Sequence, residues 1–128
     1  MIDYNSFPGL VGVFLEDSYV LGISESSDQL VFQLDAVLTP EHSAYHPPRP
    51  GEQYCYEKGR LVFPDITRVE WLKRGSKHYT DASGEEDFGN IDVLTVDGNA
   101  FVAEGDWGAV RIFGPQPRFE LVDPSNDR

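Results

Sequence analysis

The chain reads as an all-β domain of about eight mostly antiparallel strands, a β-sandwich or partly closed barrel with two long loops. Three observations predict this. Short apolar runs rich in Val, Ile, Leu, Phe and Tyr alternate with period two, and Gly, Pro, Asp and Ser punctuate them at short intervals. At 128 residues, 40% of them hydrophobic, the chain can bury a core as one domain without disulfides or metal as staples. Residues 1–123 are expected to form that domain and residues 124–128 a polar, fraying tail.

The opening, Tyr4 to Phe14, holds Pro8, Gly9 and Gly12, so it is expected to be irregular or one short turn. Val11, Val13 and Leu15 alternate up to Glu16-Asp17, and Tyr19, Leu21 and Ile23 resume after it, which reads as a hairpin through the acidic pair. Ser24 to Asp28 is a polar turn. Leu30, Phe32, Leu34 and Ala36 line one face of a long strand whose other face carries Gln33 and Asp35. Between Thr39 and Gln53 lie Pro40, Pro47, Pro48, Pro50 and Gly51; the prolines would remove ladder donors from a sheet, so this is a long loop.

Tyr54 to Phe63 reads as a strand or hairpin interrupted near Lys58-Gly59, and Ile66 to Lys73 as a strand with Val69 and Trp71 on one face. Gly75 to Asp87 is polar and acidic, a second long loop. Ile91–Val96 and Ala100–Glu104 flank Asp97-Gly98-Asn99, a tight-turn sequence because glycine tolerates positive φ. Ala109–Phe113 and Arg118–Leu121 complete the set.

The formal net charge is -12, from 22 acids and 10 bases. Such a balance argues against pairing with a nucleic acid backbone. The acidity is uneven: residues 1–48 carry -7 with no Lys or Arg, residues 49–77 carry +3, and residues 78–128 carry -8. A strong negative field raises encounter rates with cationic partners, so an acidic inhibitor of a basic protein is one expectation, set against mere solubility. Cys55 is the single cysteine, so no intrachain disulfide can form. The N-terminus lacks a basic n-region and no apolar run approaches a membrane span, which leads us to expect a soluble, cytoplasmic protein.

Motifs that could carry chemistry are few. Asp87-Phe88-Gly89 and Asp106-Trp107-Gly108 echo one another and read as turns in which Asp caps backbone donors and the ring tucks against the sheet, with paired aromatics forming a binding lip as the rival. The acidic stretch Asp81-Ala82-Ser83-Gly84-Glu85-Glu86-Asp87 lacks the order of a calcium loop and is expected to be a solvated loop. His42 and His46 stand four apart beside Glu41, but the prolines around them forbid a helix that would face both toward zinc. Cys55 in Tyr54-Cys55-Tyr56 suits a small buried strand residue better than a nucleophile. No metal or cofactor is expected, and no catalytic residue is assigned.

Tyr45, Tyr54, Tyr56 and Tyr79 lie in or beside the two long loops. If those loops converge, they make an aromatic surface bordered by His42, His46, Arg49 and Lys77, suited to a protein or small ligand. The pattern Leu30-Val31-Phe32, then Gly59 to Trp71, then Asp87 to Asp92 and Gly105 to Gly108 resembles small uncharacterised bacterial all-β domains, some of them similar to immunity proteins of polymorphic toxin systems. That resemblance implies a non-catalytic protein that binds a cognate toxin in the same cell. It rests on sheet and turn residues, so it transfers no functional residue.

The sequence therefore favours a non-enzymatic, acidic protein-binding domain whose partner is another protein, a basic toxin in the most concrete form. Asp81, Glu85, Glu86 and Asp87 are its expected partner-binding residues. The alternative is a small-ligand or metal-binding β-domain, or an enzyme, with its site in the 39–53 loop at His42, Tyr45, His46 and Tyr54. A structural subunit of a larger assembly is the third expectation.

Overall fold

A computed structural model describes residues 7–75, 79–80 and 86–122, with residues 79, 80 and 86 described by their backbone alone. A 3-10 turn at Pro8–Leu10 precedes β1 (Val13–Glu25), β2 (Leu30–Leu38), β3 (Cys55–Phe63), β4 (Arg68–Arg74), β5 (Tyr79–Thr80), β6 (Glu86–Asp87), β7 (Val93–Asp97), β8 (Ala100–Gly105), β9 (Gly108–Phe113) and β10 (Arg118–Leu121). Two antiparallel four-stranded sheets result, one ordered β1-β2-β3-β10 and the other β4-β9-β8-β7, with β5 and β6 paired apart. Neither sheet closes on itself, so of the two expected architectures this is the sandwich.

Alternation explains the packing. Leu30, Phe32, Leu34, Ala36 and Leu38 of β2 point inward with Leu61 and Phe63 of β3, and meet Leu94, Phe101, Ala103, Val110 and Ile112 of the second sheet. Aromatic rings join the layers: Phe32 lies 4.9 Å from Trp107, and Phe63 lies 6.2 Å from Phe101 between ring centres. The tight turn falls where expected, with Asp97 opposite Ala100 and Gly98 at φ +63°. Both Asp-aromatic-Gly copies are turns, Gly89 at φ +89° and Gly108 at φ +136°. Trp107 is buried in the core and its indole N–H donates to the Asn90 carbonyl (3.0 Å), so the two rings form no exposed lip.

Three expectations need correction. Glu16-Asp17 is not a hairpin turn: β1 runs through it as one strand with an irregularity between Phe14, opposite Val37, and Tyr19, opposite Asp35. Ser18 holds that bulge. Its buried hydroxyl donates to the Phe14 carbonyl (2.7 Å) and accepts from the Val37 N–H (2.9 Å), so two ladder groups displaced by the extra residues keep partners. Ser18→Ala is expected to cost about 1–3 kcal/mol, the range for leaving a buried donor unsatisfied, read as a lowered midpoint in urea denaturation with an unchanged slope.

Second, β3 is continuous through Lys58-Gly59. Gly59 is there because the Phe119 ring lies on it: a side-chain carbon at Gly59 would sit 2.3 Å from that ring. Third, the segment between Gly75 and Asp87 is not all loop, since Tyr79 pairs with Asp87 and Thr80 with Glu86. The 39–53 segment forms no strand, in keeping with its prolines. Among the described residues no helix is long and apolar enough to cross a membrane.

Candidate functional site

The outward parity of the first sheet builds the site. Tyr19 of β1 stands opposite Asp35 of β2, Asp35 stands opposite Lys58 of β3, and Tyr56 precedes Lys58 by one outward position. The Tyr19 and Tyr56 rings stack with centres 6.3 Å apart and planes 27° from parallel. Tyr54 meets Tyr56 edge-on at 6.1 Å.

Two flanking segments wall this pair. From the first long loop come Gly51, Glu52 and Gln53. From the other side comes Asp87, fixed because the segment after β6 is zipped to the edge of β1: Phe88 N–H donates to the Val20 carbonyl and Val20 N–H to the Gly89 carbonyl, both at 2.8 Å. Asp87 also accepts the Gly89 N–H through Oδ1 (2.8 Å), the Asx turn expected of its motif. With Leu21 and Asp35 these residues enclose a groove of about 400 Å3. The groove over Tyr19 and Tyr56 thus lies between the 39–53 loop and Asp87 of β6.

Asp35, Glu52 and Asp87 line the groove, and among the described residues no Lys or Arg does. Cations stand behind two of them, Lys58 Nζ 3.9 Å from Asp35 and Arg49 Nη1 3.8 Å from Glu52. The Tyr56 hydroxyl is pushed up to about 12, chiefly by burial and then by Tyr19 and the Asp35 charge. At neutral pH Tyr56 is therefore a neutral phenol beside these carboxylates.

The first loop is pinned from the opposite side of β3. Glu57 has the parity of Cys55, Gly59 and Leu61, and its Oε2 accepts from His46 Nε2 (2.7 Å) and Arg49 Nη2 (2.9 Å). His46 Nδ1 faces the Pro47 carbonyl at 2.8 Å. Both ring nitrogens thus meet acceptors, an arrangement that suits the imidazolium. The bond to Glu57, then that to Pro47, raises the His46 pKa above its ordinary 6.5. His46, then Arg49, lowers Glu57 below its ordinary 4.5, against burial.

The pH dependence follows from these directions. The raised His46 pKa contributes stability that is complete below 6.5 and is lost as pH rises through the folded value. The lowered Glu57 pKa contributes stability that is present above 4.5 and is lost as pH falls through the folded value. The latch is therefore strongest between 4.5 and 6.5. In an NMR titration the His46 imidazole is expected to have its midpoint above 6.5, and Glu57→Gln to bring that midpoint down.

The residues expected from sequence are distributed as follows. Asp87 lines the groove; Asp81 and Glu85, and the side chain of Glu86, lie outside what is described. The set His42, Tyr45, His46 and Tyr54 does not gather at one point. Tyr45 and Tyr54 line a separate, mostly apolar depression of about 250 Å3 with Phe14, Val37 and Pro48. His42 accepts the Ala44 N–H through Nδ1 (3.0 Å) and lies edge-on to Phe119, while His46 is engaged in the latch. Cys55 is a buried strand residue with the His46 N–H at 3.5 Å from its sulfur. Among the described residues no three His, Cys, Asp or Glu side chains are grouped to hold a metal ion.

Sequence reasoning missed Tyr19, Asp35 and Glu52. A usable signal existed for one: alternation already put Asp35 on the outward face of β2. Tyr19 was obscured by the hairpin assigned to Glu16-Asp17. Compared with family models, curated proteins and solved structures, the chain finds no match.

Proposed function

We propose that this chain is a non-enzymatic protein-binding domain with a basic partner, the neutralisation of a cognate toxin in the same cell being the most concrete form. That reading puts it in the cytoplasm. The observation that carries it is one outward groove that joins the stacked tyrosines to Asp35 of β2, Glu52 of the 39–53 loop and Asp87 of β6. Aromatic anchors within a charged rim are what protein interfaces concentrate, and the net charge of -12 supplies long-range attraction for a cationic surface. Asp81, Glu85 and Glu86 precede Asp87 in sequence and extend the acidic segment.

The test is capture from a lysate of the source cells at low and then high salt, with bound proteins identified by mass spectrometry. A stoichiometric basic protein released by salt supports the reading. Recovery of the bare chain at both salts contradicts it. The small-ligand reading keeps one observation, the shared depression of Tyr45 and Tyr54; a ligand-dependent rise in melting temperature, lost on Tyr54→Ala, would favour it.

A further inference from the structure

We infer that the groove over Tyr19 and Tyr56 receives an arginine side chain of the basic partner, its guanidinium against the tyrosine rings and its N–H groups toward Asp35, Glu52 and Asp87. The inference rests on the protein-binding reading and specifies the chemistry of the contact.

Size comes first. About 400 Å3 is far more than a bare ion needs and lies at the small end of organic-ligand sites, the scale of one long side chain with its backbone outside. The walls have two characters. Leu21 and the two rings offer apolar surface to a methylene stem, and three carboxylates ring the groove for a cationic head. Lys58 and Arg49 stand at the far edge of ion-pair distance from Asp35 and Glu52, so an incoming cation joins an existing network.

The rings decide between cations. Tyr19 is 38% exposed, so a ring face is accessible while its partner Tyr56 is more covered. A hydrated divalent ion gains nothing from a π face. A lysine ammonium is a compact point charge that keeps its water. A guanidinium is planar and weakly hydrated, and it can lie on a ring while its fork of donors reaches carboxylates. Tyr56 stays protonated well beyond neutral pH, so its ring contributes no repelling or attracting phenolate and the negative charge stays with the carboxylates.

The experiment uses the full, isotope-labelled chain and three small probes: Nα-acetyl-arginine amide, the lysine equivalent, and the citrulline equivalent, which keeps the arginine shape without its charge. The arginine probe is expected to give saturable NMR shifts centred on Tyr19, Leu21, Gln53 and Tyr56, with affinity about tenfold or more above citrulline and several-fold above lysine. Tyr19→Ala should abolish saturation, whereas Tyr19→Phe, which keeps the ring, should stay within about threefold of the parent. Both substitutions fall at a partly exposed residue, and the unperturbed remainder of each spectrum reports that the sandwich is intact.

Absence of saturable shifts, equal binding of lysine or citrulline, or shifts unaffected by Tyr19→Ala would overturn the inference. Its failure is separable from failure of the protein-binding reading. A basic protein captured equally by the parent and Tyr19→Ala chains, with no response to the arginine probe, removes the arginine and leaves the partner. A chain that captures nothing removes the partner.

Discussion

Trp107→Ala is expected to lower the stability of the sandwich by about 3–5 kcal/mol, the range for truncating a large buried aromatic. Trp107 sits in the two-residue connection between β8 and β9, a position where a large apolar side chain would ordinarily face water. Here Gly105 pairs with Gly108, the chain reverses tightly, and the indole folds back between the layers at 3% exposure. It touches Phe32 of the first sheet and Trp71 of the second, at 4.9 and 6.2 Å between ring centres. Removing it opens a cavity between the sheets and strips the Asn90 carbonyl of its donor. Since domains are typically stable by only about 5–15 kcal/mol, a large share of the total is at risk. Trp107→Phe keeps most of the packing and is expected to lose less, about 1–2 kcal/mol. Urea denaturation followed by circular dichroism measures both, and equal losses for the two variants would show that the indole hydrogen bond dominates.

The second large effect concerns association. Glu52→Lys together with Asp87→Asn changes the groove by three charges, while the asparagine retains an acceptor for the Gly89 N–H that closes its turn. Electrostatic steering raises association rates by about 10- to 1000-fold. The double variant is therefore expected to associate with the basic partner at least about tenfold more slowly at low ionic strength, and with a flatter salt dependence. Stopped-flow or surface-based kinetics at several salt concentrations read this directly. An unchanged rate at low salt would detach the groove from steering.

The fold was legible wherever one physical rule acted alone. Period-two alternation identified β2 and its inward face, and Gly98 marked a turn that needs positive φ. It was illegible where a side chain did the work of the backbone. The bulge in β1 exists because the Ser18 hydroxyl stands in for two ladder partners, and a serine after two acids gives no sign of that from its own position. Likewise Gly59 reads as an interruption until Phe119, sixty residues later, is seen to occupy its missing side chain.

The site was legible in its parts and not in its assembly. That the long loops carry tyrosines and acids follows from composition, and Asp87, one of the acids singled out from the sequence, lines the groove. The placing of Asp87 and of the 39–53 loop about the groove depends on the zipper between Val20 and Phe88–Gly89 and on the His46–Glu57–Arg49 latch, contacts between distant segments that periodicity does not encode. The latch also explains why His42 and His46 do not act as a pair. One caps its own turn at Ala44, and the other holds the loop to β3.

In the proposed function the groove, and not overall acidity, holds the partner. A charge-matched comparison separates the two: partner retention by the parent chain, by Glu52→Lys with Asp87→Asn, and by Glu104→Lys with Asp28→Asn. The last pair changes the net charge equally at two exposed positions, Glu104 on the second sheet and Asp28 in the turn between β1 and β2. The groove variant is expected to lose the partner while the control retains it. Equal loss from both would remove the groove as the binding site and reduce the acidity to a property of the whole surface.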